Sequence, residues 1–224
     1  MLTDDLIFPD ARHADAHGLL AIGGDLSAER LILAYKSGIF PWYSEDDPIL
    51  WFSPDPRLVL FPEHLKVSRS LKKTIRKKKF TVSFDNEFDK VITSCAKIKR
   101  LNQLSTWITK DMINAYIDLH EMGYAHSVET YYGDRLVGGL YGVSLGGAFF
   151  GESMFHKMTD ASKVALFYLV QKLKKWEFEF IDSQVTTDHL VSLGAEDISR
   201  DKYLQLLKQA LSKKTKTGLW NNLK

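Results

Sequence analysis

The chain of 224 residues contains a single cysteine, Cys95, so no disulfide can close within it and no cysteine-based zinc cluster can form. Seven histidines are present, but His126, His156 and His189 do not recur at ligand spacing, and a metal centre is not expected. No apolar run approaches the roughly 18 residues that a membrane helix requires. The opening Met1-Leu2-Thr3-Asp4-Asp5 supplies neither the basic nor the apolar part of a secretory signal. A soluble, cytoplasmic protein with no membrane partner is the expectation, and a monomer, since no heptad or long apolar stripe is evident. Nor does one sign of charge dominate. Thirty Lys and Arg against 28 Asp and Glu leave +2, so a nucleic-acid partner can be argued only from local clustering. No Walker loop, nucleophile elbow or Ser-His-Asp order is found, which leaves covalent catalysis without support. Internal repeats and low-complexity tracts are also missing.

With 45% hydrophobic residues the chain can bury one core and has room for two small lobes. Residues 1–26 read as irregular, with a turn at Gly23-Gly24-Asp25. Ser27 caps a short helix bearing Leu31, Ala34 and Tyr35 and stopped by Gly38. Residues 39–56, crowded with Pro41, Pro48, Pro54, Pro56, Trp42, Tyr43 and Trp51, read as an ordered loop held by ring packing. Residues 66–79 are helical and strongly basic, and 81–84 form a short strand. Phe88, Val91, Ile92 and Cys95 mark a helix after an Asp85/Asn86 cap. A polar loop spans 97–105, and Thr109 caps a helix with Met112, Ala115, Tyr116 and Leu119 on one face. The pattern then turns to period two. Strands are expected at 127–132, 135–143 and 148–154, with turns at Gly133-Asp134 and Gly146-Gly147. A helix capped by Thr159/Asp160, a buried strand at 178–181 and a last helix capped by Ser199 complete the reading.

Helix, antiparallel meander, helix, strand, helix is an α+β order, similar to the GNAT-type acyltransferase fold. The chain divides accordingly. Residues 1–62 form a small N-terminal α/β lobe with the aromatic loop, and 63–84 the basic helix and connecting strand. Residues 85–224 form a GNAT-like domain with an antiparallel-rich mixed sheet. The acetyl-CoA version of that fold needs a glycine-rich pyrophosphate loop, and the equivalent Phe155-His156-Lys157-Met158-Thr159-Asp160 has no glycine, which disfavours a CoA donor.

Three groups of residues carry candidate chemistry. Arg69, Lys73, Arg76 and Lys77 share one face of the basic helix; they are either a solvated charged face or a contact to a phosphate backbone. Trp42, Trp51 and Phe52, with Trp107 further on, are either core packing or a surface on which a base can stack. Glu152, Asp182 and Gln184 place polar groups inside strand-like apolar runs, where an unpaired carboxylate is costly. They are either a structural ion pair or a site for an amine, two carboxylates holding a cation and an amide orienting it. The apolar neighbours Leu140, Phe149, Met154, Leu166, Leu169 and Ile181 are core by pattern and could equally line a pocket.

Seven segments also match a known family in order and with similar spacing: Gly-Leu-Leu-Ala-Ile-Gly-Gly-Asp-Leu (18–26), Gly-Ile-Phe-Pro-Trp-Tyr (38–43), Trp-Phe-Ser-Pro-Asp-Pro-Arg (51–57), Thr-Trp-Ile-Thr (106–109), Ala-His-Ser-Val-Glu (125–129), Gly-Glu-Ser-Met-Phe (151–155) and Ile-Asp-Ser-Gln-Val (181–185). Through them the chain resembles the leucyl/phenylalanyl-tRNA–protein transferases. The resemblance implies transfer of Leu or Phe, with Met as a further donor, from Leu-tRNA or Phe-tRNA to the α-amine of proteins that begin with Arg or Lys. The product is marked for N-end-rule degradation. It implies no cofactor, neither metal nor ATP. By position it makes Asp182 and Gln184 the catalytic acid–amide pair and Glu152 a second essential carboxylate. It sets Trp42, Trp107, Tyr35 and Tyr116 near the tRNA 3′-terminal adenosine. Arg69, Lys73, Arg76 and Lys77 fall on the tRNA backbone, and Leu140, Phe149, Met154, Leu166, Leu169 and Ile181 in the donor side-chain pocket. Ser183 stands where the family commonly has cysteine, and Leu140 where methionine occurs. On this reading Asp182, through Gln184, draws the proton from the attacking amine. A β-branched donor fits poorly in a pocket shaped for leucine or a flat ring.

Overall fold

The structure is a computed structural model that describes residues 1–98 and 107–223. In chain order its elements are β1 (Leu19–Ile22), α1 (Ala28–Lys36), β2 (Phe40–Pro41), β3 (Leu50–Phe52), β4 (Arg57–Leu60), α2 (Arg69–Arg76), β5 (Thr81–Phe84), α3 (Phe88–Ala96), α4 (Lys110–Glu121), β6 (Ala125–Tyr132), β7 (Arg135–Leu145), β8 (Ala148–His156), α5 (Ala161–Lys175), β9 (Phe180–Gln184), α6 (Asp188–Ser192), β10 (Glu196–Ile198) and α7 (Arg200–Leu211). The α+β class is therefore observed, with the helix–meander–helix–strand–helix order of the second half. Most of the polar loop at 97–105 lies outside the described residues.

Two sheets organise the chain. A small one runs β1-β3-β2, so the aromatic segment is strand rather than loop. Trp51, at the centre of it, is wholly buried and donates its indole N–H to the Gly23 carbonyl at 2.8 Å. Pro41 lies in β2, an edge strand, where its missing N–H leaves no gap in the ladder. The large sheet runs β10-β4-β9-β8-β7-β6-β5. It draws strands from all three sequence segments: β4 from residues 1–62, β5 from 63–84 and the rest from beyond 85. Every pairing in it is antiparallel except β8 with β9. Helix α5 links those two, the long crossover that parallel strands require.

The caps follow the sequence at Ser27, Thr109 and Ser199, whose hydroxyls accept from Arg30, Met112 and Lys202 N–H. Elsewhere they differ. The basic helix is shorter than expected: Ser68 caps it and Lys78, at φ 48°, ends it. Asp85 does not cap α3, which begins after Glu87. Instead Asp85 turns inward and accepts from His126 Nδ1, Ser127 N and Trp220 N at 2.7–2.8 Å. Trp220 is buried there, stacked on His126 with centroids 3.9 Å apart. Asp160 starts α5 at φ 71° without capping it; its carboxylate accepts from Thr74 Oγ1 of α2 at 3.0 Å.

Candidate active site

Two β-bulges build the site. In the β7–β8 ladder Tyr141 faces Ser153 and Gly142 faces Gly151, which leaves Glu152 as the extra residue. In the β4–β9 ladder Val59 faces Asp182 and Leu58 faces Gln184, which leaves Ser183 as the extra one. A bulge re-aims the neighbouring side chains, and Gln184 completes the bend at φ 63°. Gly142 makes the first bulge possible: a Cβ there would stand 2.2 Å from the Phe150 carbonyl oxygen. The last registered pair of the parallel ladder is Phe150 with Asp182. Glu152 and Gln184 lie just past it, where the two strands no longer pair.

The sequence candidates Glu152, Asp182 and Gln184 are brought together, but with unequal surroundings. Asp182 is wholly buried and forms a bidentate ion pair with Arg57, Nε to Oδ1 at 2.9 Å and Nη2 to Oδ2 at 2.7 Å. Tyr203 OH donates to Oδ2 at 2.8 Å and Gln184 N to Oδ1 at 2.9 Å. A carboxylate offers about four acceptor positions, and four donors fill them. Burial works against the Arg57 charge, yet Asp182 and Tyr203 together more than offset it and its pKa is raised. Arg57 is also clasped between the rings of Phe40 and Tyr203, at 4.7 and 4.5 Å, and donates to the Gly38 carbonyl. Asp182, which the sequence reading expects to draw the substrate proton, is thus engaged by its own partners. It has no acceptor position to spare, and it fixes the backbone of Gln184.

Glu152 is engaged by three donors rather than four. Its Oε1 accepts from Tyr35 OH and Gln184 Nε2, both at 2.8 Å, and its Oε2 from Tyr116 OH at 3.1 Å. The two phenols also touch each other. Burial pushes the Glu152 carboxyl up to about 7; the three donors pull against that, and the charge of Asp182 adds to it. Burial, then the adjacent Glu152, holds both phenols protonated far above neutrality. Gln184 is 9% exposed, and its Oε1 accepts no hydrogen bond among the described residues.

The remaining residues divide. Tyr35 and Tyr116, set near the 3′ adenosine by resemblance, are wholly buried and donate their hydroxyls to Glu152. Trp42 is 38% exposed and edge-on to Phe52, and Trp107 is half-buried. Leu140, Phe149, Leu166, Leu169 and Ile181 share one buried cluster with Met154 packed against it. Arg69, Lys73, Arg76 and Lys77 are exposed on α2 and its C-cap. Sequence reasoning missed Arg57 and Tyr203. The signal for Arg57 was a cation heading the apolar run Leu58-Val59-Leu60.

A buried carboxyl raised toward neutrality beside an oriented amide, at the open end of a mixed sheet, is suited to a transferase that works by positioning and proton transfer. The sequence says which. Residues 59–208 match the profile of the leucyl/phenylalanyl-tRNA protein transferases, and residues 24–55 that of their N-terminal domain. Relatives named leucyl/phenylalanyl-tRNA–protein transferase include one from Syntrophobacter fumaroxidans, 59% identical over 92% of this chain and 88% of its own. Another, from Thermodesulfovibrio yellowstonii, is 56% identical over 99% of this chain and 90% of its own. This chain belongs to the leucyl/phenylalanyl-tRNA–protein transferase family. Among solved structures, an aminoglycoside acetyltransferase from an uncultured soil metagenomic sample aligns with 51% of this chain and 84% of its own at 13% identity. Its TM-score is 0.38, a likeness too slight to bear on function. No described helix is long and apolar enough to cross a membrane.

Proposed function

We propose that this protein moves Leu or Phe from aminoacyl-tRNA to the α-amine of proteins beginning with Arg or Lys, with Glu152 as the proton carrier at the reacting centre. The observation that supports it most is the Glu152 environment: a carboxyl near pH 7 held by Tyr35, Tyr116 and Gln184. The donor ester is already activated, so the protein has mainly to position a neutral amine against its carbonyl. An α-amine titrates at about 7.7–8, close enough to Glu152 for efficient exchange. Gln184 Oε1 accepts one amine N–H and aims the nitrogen. As the C–N bond forms, ionised Glu152 takes the nitrogen's proton. As the ester C–O bond breaks, it returns that proton to the departing 3′ oxygen and is regenerated. The cluster around Leu140, Phe149 and Leu169 receives the donor side chain, and Trp42 and Trp107 flank the terminal adenosine. The cations of α2 engage the tRNA backbone.

Purified protein, given leucine-labelled Leu-tRNA and a peptide beginning with Arg, is expected to place label on the peptide without ATP. A protein that binds the tRNA yet transfers neither Leu nor Phe contradicts the proposal. The proton path has its own test. Removing a hydrogen-bond donor disfavours the ionised carboxylate, so Tyr116→Phe raises the Glu152 pKa. The rising limb of the pH–rate profile then moves upward by about one unit, while the limb of the acceptor amine stays. A profile that does not move takes Glu152 out of the proton path.

A further inference from the structure

A second basic surface adjoins α2. Between α3, the start of β7 and the end of β8 lies a groove of about 710 Å³ whose walls carry Lys90, Lys97, Arg135 and Lys157 against one carboxylate, Asp89. Lys90 is paired with Glu87. Lys97, Arg135 and Lys157 are exposed and form no salt bridge among the described residues. Cations that outnumber the one carboxylate of the groove repel one another, and an anion laid between them relieves that repulsion.

The groove and the basic helix pack on the same part of the core. Its wall residues Val137 and Met158 belong to the same apolar cluster as Leu71 and Ile75 of α2. The Thr74–Asp160 hydrogen bond ties α2 to the turn that follows Lys157. The walls also carry the hydroxyls of Thr93 and Ser94 and no aromatic ring. Cations and hydroxyls without a stacking face are suited to phosphates and sugars rather than to bases.

We propose that this groove holds a second segment of the donor tRNA's sugar–phosphate backbone, beyond the segment that α2 engages. The proposal rests on the tRNA-dependent reading above. Its role is to orient the tRNA body by charge, independent of sequence.

The test is Arg135→Glu with Lys157→Glu, two exposed positions whose reversal leaves the core intact. Lys202→Glu with Lys208→Glu on α7, outside the groove, matches the change in charge. Leucylated tRNA binding is measured by fluorescence anisotropy across a salt series, and transfer is measured from Leu-tRNA and from leucyl-adenosine, which lacks the tRNA body. The groove variant is expected to bind tRNA about tenfold or more weakly near 0.1 M salt, with a slope of log affinity on log salt shallower by about 1–2. Its transfer from Leu-tRNA falls in kcat/KM while transfer from leucyl-adenosine is unchanged. Equal weakening in the α7 variant, or intact tRNA binding with a raised KM for acidic acceptor peptides alone, overturns the proposal. If the parent protein transfers from neither donor, the functional reading fails, and the binding series alone still decides for or against the groove.

Discussion

Glu152→Gln is expected to abolish leucyl transfer and, in the same variant, to raise the unfolding temperature at pH 8. The first effect follows from removing the group proposed to take and return the proton. The second follows from linkage. Glu152 titrates from an ordinary 4.5 in the unfolded chain and at about 7 in the folded one. Folding raises this pKa, so the group favours the folded state while it stays protonated. That contribution is lost as pH rises from about 4.5 through about 7 and is fully gone above it. At pH 8 the parent must hold a buried charge at a cost of about 3 kcal/mol at most, which glutamine does not carry. For a chain of this length that corresponds to roughly 6–12 °C. Thermal melts of parent and variant at pH 5 and pH 8, with transfer measured alongside, check it: most of the gap should be gone at pH 5. A gap that does not widen with pH means that the Glu152 charge is no burden on the fold. Function here would be maintained against stability, a common bargain at active sites.

The second large effect is expected at Arg57. Arg57→Met leaves Asp182 wholly buried with no counter-charge, and breaking one side of such a pair typically costs about 3–5 kcal/mol. Asp182→Leu is expected to be similarly damaging, because it orphans the guanidinium. Replacing both by apolar residues, Arg57→Met with Asp182→Leu, removes both charges and should be less destabilised than the sum of the two single variants. Transfer should stay lost, because the Gln184 N–H then has no acceptor and the bend at φ 63° is no longer held. Guanidinium titrations of the four proteins give the coupling directly. Additive costs, or a single-variant cost below about 1 kcal/mol, would mean that this pair is not what fixes β9.

What could be read from the sequence was local. Ser27, Thr109 and Ser199 announce helices because a cap is decided within four residues. The glycine turns at 133–134 and 146–147 mark the meander for the same reason. Glu152, Asp182 and Gln184 stood out because polar groups in apolar runs are expensive whatever surrounds them. The division of labour among the three could not be read. It depends on Arg57, 125 positions from Asp182, and on Tyr35, 117 from Glu152. Tyr35 and Tyr116 read as helix core because their rings obey the 3.6-residue period; only the fold shows where their hydroxyls point. The bulges at Glu152 and Ser183 were invisible because a bulge belongs to a pair of strands, not to one. Strand β4 was missed because four buried residues between Pro56 and Pro62 show no alternation. The inward turn of Asp85 waited on Trp220, 135 positions away.

The position of β4 sets a schedule for the ribosome. Its two neighbours in the sheet are β9 and β10, and Val59 pairs with Asp182. At about 5–20 residues per second, Leu58, Val59 and Leu60 are synthesised roughly 6–25 s before the residues that cover them. For that interval the apolar segment headed by Arg57 lacks both of its strand neighbours. Slowing translation between β4 and β9 is expected to lengthen the time its growing chains spend open to aggregation.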